Sequence, residues 1–283
     1  MIGISSNDAG GAELLSEYVI NNKNDYLFFL TGPSIKIFRK KIDNLKISNF
    51  NESAHKLSLV ISSTGWATKN EINIIHQCKI KKIKICAFLD HWINYKKRFL
   101  RNNKLVLPDE IWVGDNLAFK LAKKTFKDSV KILKKKNYYF IRAKKFFDKK
   151  KNQKKVTKIK KVLYLCEPIT ELRNKNFYTE KKCINLFFKK IKKIKKIKNI
   201  IFRPHPYEES KKYDWVLKSK EYNIFIRKNE DLLNEIYKND IIVGCNTIAM
   251  YLGILAKKKV YTSIPRGYSC DIPSKKIHYL NEI

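Results

Sequence analysis

The sequence predicts an α/β protein built from two parallel-sheet domains. Its 283 residues are enough for two compact domains of ordinary size. Short apolar runs rich in β-branched and aromatic residues alternate with amphipathic helical patterns, as they do where buried parallel strands are joined by crossover helices. A charged segment with few large apolar residues, KKKNQKKVTKIKK at 149–161, separates two such series. We therefore predict one domain at 1–150 and a second at 151–283.

The first series justifies the N-terminal domain. It opens with the strand MIGISS, the glycine-containing turn NDAGGAE and a helix, and it continues with the strand DYLFFLTG and a helix that begins at Pro33. The strand LSLVISSTG, a helix near 71–81, the strands IKICAFLD and DEIWVGD and the helix NLAFKLAKKTF follow. This alternation predicts a Rossmann-like sheet.

The second series predicts another Rossmann-like sheet of similar size. Its strands are KVLYLCEP, NIIFRPHP, YNIFIRK, DIIVGC and KVYTSIP. The helices between them are predicted near 180–198 and 213–220 and in EDLLNEIYK and TIAMYLGILA. In the helix near 180–198 one apolar stripe is surrounded by lysines, which indicates a helix that covers the sheet with a solvated outer face.

Composition limits the classes of partner. The formal net charge is +35, and the excess is almost all lysine spread along the chain. Arginine is sparse and no nucleic-acid-binding signature is present, so no specific nucleic acid is expected. The charge favours anionic partners such as nucleotide-sugars, acidic glycans and the inner face of a membrane. No apolar stretch is long enough to span a bilayer, so we expect a cytoplasmic protein with peripheral membrane contact at most.

Candidate functional residues follow the predicted strands, because ligands of open α/β sheets bind beyond the carboxyl ends of the strands. After the first strand, Gly10 and Gly11 permit close approach of the backbone to a ligand, and Asp8 or Glu13 could take a proton from an acceptor hydroxyl. The alternative for Asp8 is that it only caps the first helix.

Two further strands of the first domain end in polar residues. Ser63 and Thr64, followed by Trp66, suit sugar binding, although a turn with a packed tryptophan explains the same residues. Asp90 and His91 bring a carboxylate and an imidazole to the end of another strand as candidate catalytic groups. Adjacent residues of an extended strand point to opposite sides, so these two need not reach the same substrate.

In the second domain the pattern R-P-H-P presents Arg203 and His205 at the end of a strand, where both suit contacts with phosphate oxygens. Asn246 and Thr247 lie between the strand DIIVGC and the next helix. Either residue can cap that helix, and its free N–H groups would favour an anion. Together the four residues predict a cradle for a phosphate or diphosphate.

These second-domain motifs, with the N-D-A-G-G-A-E turn, resemble those of GT-B glycosyltransferases, in which two Rossmann-like domains face a cleft. The chain is most similar to bacterial surface-polysaccharide enzymes that use CMP- or CDP-linked donors. The resemblance implies that Arg203, His205, Asn246 and Thr247 bind the donor and that a base comes from the first domain. Many GT-B enzymes have an acidic residue about four positions into the following helix, where this chain has Tyr251.

The function expected from the resemblance is transfer of a sugar from a nucleotide-activated donor to a cell-envelope glycan or lipid-linked acceptor. We expect no cofactor and no metal, since no D-x-D motif is present. The same fold could instead hydrolyse or 2-epimerise a nucleotide-sugar. A non-catalytic polyanion-binding protein is the third hypothesis.

Overall fold

A computed structural model describes residues 1–65, 68–150, 160–172, 178–194 and 196–283. The chain divides into two compact units, Met1–Tyr139 and Phe140–Ile283. Residues 151–159 of the predicted linker and Trp66 lie outside the described residues. The domain boundary at 150 and 151, and the acceptor and donor roles given to the two domains, stay predictions.

The first unit contains a six-stranded parallel sheet with helices in the connections. Its main strands run in the order β2-β1-β3-β4-β7-β8, and a two-stranded antiparallel hairpin, β5-β6, lies outside the main sheet. The strands are β1 (Ile2–Ser6), β2 (Tyr26–Leu30), β3 (Leu59–Ser62), β4 (Lys84–Leu89), β5 (Leu100–Arg101), β6 (Lys104–Leu105), β7 (Glu110–Val113) and β8 (Lys131–Lys134). The helices are α1 (Ala9–Asn21), α2 (Pro33–Arg39), α3 (Phe50–Ser53), α4 (Asn70–Ile80) and α5 (Asn116–Phe126). The helix α6 (Tyr138–Lys150) begins at the last residues of this unit and lies mostly in the second, which starts at Phe140.

The second unit contains another six-stranded parallel sheet, in the order β11-β10-β9-β12-β13-β14. The strands are β9 (Lys160–Leu165), β10 (Ile197–Arg203), β11 (Asn223–Ile226), β12 (Ile241–Gly244), β13 (Lys259–Thr262) and β14 (Ile277–Tyr279). The helices are α7 (Ile169–Leu172), α8 (Glu180–Ile191), α9 (Leu232–Lys238) and α10 (Ala249–Leu255). The predicted fold class, α/β with two Rossmann-like parallel-sheet domains, is confirmed.

Both sheets have the same switch in strand order. From β1 the chain adds β2 on one side and then β3 on the other; from β9 it adds β10 and β11 on one side and then β12 on the other. The two helices that leave such a central pair of strands cover opposite faces, which opens a crevice at the carboxyl edge. The carboxyl edges at β1/β3 and at β9/β12, called the crevices of the two units below, are therefore the places where a ligand is expected.

Apolar side chains of strands and helices form a core in each unit. In the first, Ile4, Leu15 and Phe88 are among the residues that pack in one buried cluster; in the second, Tyr164 and Phe187 do so. The six cysteines are free thiols, and five of them are buried. Among the described residues, no helix has both the length and the apolar character that crossing a bilayer requires.

Two predicted helices differ from those observed. The helix predicted near 180–198 ends at Ile191, because residues 197–203 form β10 and pair with β9. Lys196, at a backbone φ of 70°, lies in the connection between them. The helix predicted near 213–220 is a 3-10 helix at Ser210–Lys218. The predicted apolar stripe is correct where α8 exists, since Ile184, Phe187 and Ile191 are buried.

Candidate functional site

The crevice of the first unit begins with the turn after β1. Asp8 is half-buried and occupies the N-cap position of α1, but its side chain makes no capping hydrogen bond. Its Oδ1 accepts a hydrogen bond from Asn7 Nδ2 at 3.2 Å. The Asp8 carboxylate therefore does not cap the helix through a hydrogen bond, and its role as a base stays a prediction.

The three other predicted residues of this turn lie in α1. Gly10 is half-buried in the first turn, and Gly11 is buried against the end of β3, where an added Cβ would lie 2.4 Å from Ser63 Cβ. Glu13 makes an ion pair with Lys41, with Nζ 2.5 Å from Oε2. Gly11 thus serves helix-to-strand packing, and Glu13 has a cation of its own within the unit.

The segment after β3 lines the same crevice. Ser63 is fully buried, and its Oγ lies 2.9 Å from Ser6 Oγ and 3.3 Å from Glu71 Oε1. Thr64 is also buried, and its carbonyl and hydroxyl oxygens accept hydrogen bonds from Arg98 Nη1 at 2.5 and 2.8 Å. These two residues shape the crevice through internal bonds, and their direct contact with a sugar stays a prediction.

Glu71, in the first turn of α4, is the residue of this crevice that the sequence analysis missed. Its side chain is directed inward: the residue is 1% exposed, and Oε1 accepts a hydrogen bond from Asn7 N at 3.0 Å. Burial, together with the nearby charge of Asp8, raises the pKa of Glu71 to about 7. A carboxyl group that titrates at neutral pH can donate or accept a proton under physiological conditions.

The two residues predicted after β4 have different hydrogen-bond partners. Asp90 Oδ1 accepts a hydrogen bond from Arg98 Nη1 at 2.7 Å. The buried His91 is oriented differently: its Nδ1 accepts a hydrogen bond from Trp92 N at 2.9 Å, and its ring packs edge-on against the Trp92 ring. Arg98 thereby links the ends of β3 and β4, and the catalytic roles of Asp90 and His91 stay predictions.

In the second unit Arg203 ends β10 and makes an ion pair with Glu235 of α9. Glu235 is 3% exposed, and burial raises its pKa despite the lowering effect of Arg203. Among the described residues no hydrogen bond reaches the other carboxylate oxygen, Glu235 Oε1. Part of the Arg203 guanidinium is therefore already neutralised by the protein, and contact with a donor phosphate would have to use its remaining N–H groups.

His205 follows β10 in a tight turn that fixes its tautomer. Tyr207 N donates to His205 Nδ1 at 3.3 Å, and the two rings stack with centroids 5.6 Å apart. Since Nδ1 accepts, the neutral ring carries its hydrogen on Nε2. Burial and the charge of Lys228 lower the pKa of His205 to about 4. At neutral pH His205 is thus an uncharged hydrogen-bond donor.

The backbone N–H groups of the turn after β12 bind a carboxylate of the protein itself. Glu167 Oε1 accepts hydrogen bonds from the backbone N–H groups of Cys245 and Asn246, at 3.0 and 2.5 Å. The Asn246 side chain donates to Asp271 at 2.6 Å, while Thr247 Oγ1 accepts from Ala249 N at 3.3 Å. The N-cap position of α10 is Ile248, and no side chain makes a capping hydrogen bond there, so the prediction that Asn246 or Thr247 caps this helix is wrong. The phosphate cradle expected here is occupied by a carboxylate.

A second polar cluster of this unit surrounds Lys212. Its Nζ lies 2.7 Å from Glu171 Oε1, 2.6 Å from Glu180 Oε1 and 2.7 Å from Glu208 Oε1. One carboxylate oxygen from each lies within 4.8 Å of the others, a spacing that could surround a metal ion. The ammonium group of Lys212 occupies that place. The cluster is a structural support, and it positions the His205 turn because Glu208 Oε2 accepts from His205 N at 3.0 Å.

Comparison with known proteins gives a structural likeness and no match by sequence. The sequence matches no protein-family model and no curated protein. The fold is similar to UDP-GlcNAc 2-epimerase from Methanocaldococcus jannaschii in complex with UDP-GlcNAc and UDP, at a TM-score of 0.69 and 15% identity over 98% of this chain and 88% of that chain. The Neisseria meningitidis UDP-GlcNAc 2-epimerase bound to UDP-GlcNAc gives 0.62 and 13%, over 92% and 82%.

A transferase has the same fold. The α/β-galactoside α-2,3-sialyltransferase from Photobacterium phosphoreum aligns at a TM-score of 0.52 and 10% identity, over 100% of this chain and 98% of that chain. At such low identities the likeness establishes the fold alone, and that fold is the GT-B fold predicted from the sequence.

Proposed function

We propose that this protein is an enzyme that acts on a nucleotide-activated sugar and transfers the sugar to a hydroxyl of a glycan or lipid-linked acceptor. The observation that carries the proposal is a proton-transfer group at the ligand crevice of the first unit. Half-buried Asp8 lies there beside Glu71, whose pKa is about 7. Sugar transfer to a hydroxyl requires that the protein remove a proton from the acceptor.

The second unit supplies groups suited to the donor in this proposal. The Nε2–H of neutral His205 donates to a phosphate oxygen without giving up its proton, and Arg203 adds positive charge at the end of the same strand. No step of the proposal requires a metal. The compared structures with UDP or UDP-GlcNAc favour a nucleotide-sugar as the ligand, and the CMP- or CDP-linked donors implied by the sequence motifs are tested alongside UDP-linked ones.

A second candidate function is 2-epimerisation, which the likeness to two UDP-GlcNAc 2-epimerases favours. A pair of carboxyl groups could remove a proton at one sugar carbon and return it. Incubation of the protein with each nucleotide-sugar, with and without glycan acceptors, separates the candidates. Transfer gives a product only with an acceptor, epimerisation changes the sugar without one, and hydrolysis releases free sugar.

The donor role of His205 gives the first prediction. His205→Ala removes the Nε2–H donor, so we expect affinity for the bound nucleotide-sugar to fall by about tenfold or more, since a lost hydrogen bond to a charged group is worth roughly 1.5–3 kcal/mol. Because the pKa of His205 is about 4, its contribution to affinity should stay constant from about pH 6 to 9. Isothermal titration calorimetry of the wild type and His205→Ala at both ends of this pH range measures the difference in affinity.

His278→Ala is the matched control, since His278 is an exposed histidine of the same unit, on β14. It should bind the nucleotide-sugar as the wild type does. Unchanged affinity in His205→Ala would remove His205 from the donor site. If no nucleotide-sugar binds the wild type while polyanions bind with strong salt dependence, the protein is a polyanion-binding module and the enzymatic proposal is wrong.

A further inference from the structure

The crevice of the first unit contains two carboxyl groups from distant parts of the chain. Asp8 follows β1, and Glu71 lies in the first turn of α4, which follows β3. A point at the position of a Cβ on Gly65 lies 2.7 Å from Asp8 Oδ2 and 3.1 Å from Glu71 Oε2. Both carboxylates therefore lie against the same glycine, and a side chain at position 65 would collide with them.

The two groups differ in access. Glu71 is buried and bonded on both oxygens: Asn7 N donates to Oε1, and Thr68 Oγ1 lies 3.4 Å from Oε2. Asp8 is half-buried at the crevice. A ligand in the crevice can reach Asp8, whereas Glu71 can act only through it.

Charge balance on the surrounding elements favours one proton on this pair. Arg98, which follows β4, is bonded to Asp90 and to Thr64. Arg101 of β5 donates to Asn73 Oδ1 of α4. These two cations have other partners. The groups that contact the Glu71 carboxyl are the backbone amides of Asn7, Asp8 and Glu71 itself and the hydroxyl groups of Ser63 and Thr68, none of which carries a charge. Two ionised carboxylates in such a place repel each other in a poorly solvated environment.

We propose that Asp8 and Glu71 form a single proton-sharing pair in which Glu71 takes up the shared proton as the pH falls through neutrality and Asp8 exchanges protons with a hydroxyl-bearing ligand. Glu71 is thus a positioning residue for the proton chemistry of Asp8, a role that rests on the proposed function. In the forward step the O–H bond of the ligand breaks and an O–H bond forms on Asp8 while the oxygen attacks the sugar carbon and the nucleotide leaves with its bonding electrons. The pair, now uncharged, later releases one proton to water.

The test begins without any ligand. Carboxyl carbons of ¹³C-labelled glutamate are followed by NMR through the pH range, and the Glu71 resonance is the one missing in Glu71→Gln. We expect it to titrate near pH 7 in the wild type. In Asp8→Asn the like charge is removed, so the midpoint should move to lower pH, although burial keeps it above the ordinary value. Titration below about pH 5, or a midpoint unaffected by Asp8→Asn, would overturn the pair.

Stability provides a second measurement of the same pair. The pKa of Glu71 is about 7 in the folded protein against 4.5 for an ordinary glutamate, so its stabilising contribution is complete below about pH 4.5 and is lost as the pH rises through 7. Glu71→Gln keeps the neutral state and should unfold at a higher urea concentration than the wild type at about pH 8.5. The difference should vanish near pH 5.

Glu110→Gln is the matched control, because Glu110 is a buried carboxylate of the same unit whose pKa is lowered, chiefly by the hydrogen bond from Trp112 Nε1 at 2.9 Å. Its stabilising contribution is present above the ordinary pKa, so this variant should be less stable than the wild type at pH 8.5, the opposite sign. Lower stability of Glu71→Gln at pH 8.5 would contradict the proposal.

Turnover of a nucleotide-sugar links the pair to catalysis. Asp8→Asn should lower kcat by about 100-fold or more. Glu71→Gln should retain binding and remove the inflection near pH 7 from the rate profile, an effect that a merely structural residue would not produce. If the NMR titration behaves as expected but no nucleotide-sugar is turned over, the proton-sharing pair is supported and the proposed function is wrong. If turnover is found but its pH profile is unchanged in Glu71→Gln, the positioning role of Glu71 is wrong.

Discussion

Lys212→Met is expected to lower the free energy of unfolding of the second unit by about 3–5 kcal/mol at pH 7, the loss typical when one partner of a buried ionic cluster is removed. The side chains of Glu208 and Glu180 are 1% and 9% exposed, and Lys212 is their cation. The bonds with these carboxylates raise the pKa of Lys212 although its burial acts in the other direction. Methionine keeps the volume of the side chain and leaves the carboxylates uncompensated.

Urea unfolding followed by Trp215 fluorescence measures this loss, because Trp215 is the one tryptophan after residue 139. Without the ammonium the carboxylates take up protons more readily, so the loss should shrink as the pH falls toward about 5. Lys192→Met is the control: Lys192 and Glu221 form an exposed pair at 2.6 Å, and exposed ion pairs contribute little to stability because water screens them. Equal effects of the two variants would show that the Lys212 cluster contributes no more than a surface ion pair.

Gly11→Ala is expected to destabilise the first unit by about 1–3 kcal/mol, the usual cost of overpacking. In an exposed helix the same change would stabilise by roughly 1 kcal/mol, since alanine is the better helix former. Here the new Cβ would lie 2.4 Å from Ser63 Cβ, an atom fixed to the backbone after β3. The helix α1 or the end of β3 would have to move, and both border the crevice.

The double variant Gly11→Ala with Ser63→Gly tests this explanation, because it removes the atom with which the new methyl group collides. We expect the double variant to be more stable than the sum of the two single changes predicts, as for residues in contact. Urea midpoints of the four proteins complete the cycle. A Gly11→Ala protein as stable as the wild type would show that α1 is not in close contact with β3.

The sequence is enough to predict the two sheets, because their central strands are short apolar runs that alternate with helical patterns. It is insufficient at one edge of each sheet, since β8 (KILK) and β14 (IHY) have no such run, whereas the opposite edge strands β2 and β11 are predicted. It also fails after Ile191, where an Ile and Lys pattern suits a helix while pairing with β9 makes residues 197–203 a strand. Tertiary pairing overrides local preference in that segment.

The candidate site is predictable to the extent that strand ends are predictable. Asp8, Ser63 and Asp90 all follow strands of the first sheet as expected. Glu71 could not be chosen from the sequence, because an acidic residue in the first turn of a helix has an ordinary electrostatic role there. Its proximity to Asp8 depends on β1 and β3 being neighbours, which only the strand order determines.

The prediction for the second unit was incomplete for the same reason: the sequence does not show which residues of distant segments lie close together. Arg203 and the turn at Asn246 have the residue types of an anion site, and these types alone do not show that Glu235 and Glu167 are close enough to bind them. Acidic residues that follow neighbouring strands, or lie in helices near them, are the signal that could have raised this alternative.

Carboxylates of the chain occupy backbone amides at both switch points: Glu71 binds Asn7 N, and Glu167 binds Cys245 N and Asn246 N. A covalently tethered group has a far higher local concentration than a dissolved ion. Inorganic phosphate or chloride, although drawn toward a protein of net charge +35, is therefore a poor competitor at these amides. Under the proposed function, a nucleotide-sugar would have to bind beside these resident carboxylates through contacts that a small ion lacks, so ligand size would count before any side chain distinguishes one sugar from another.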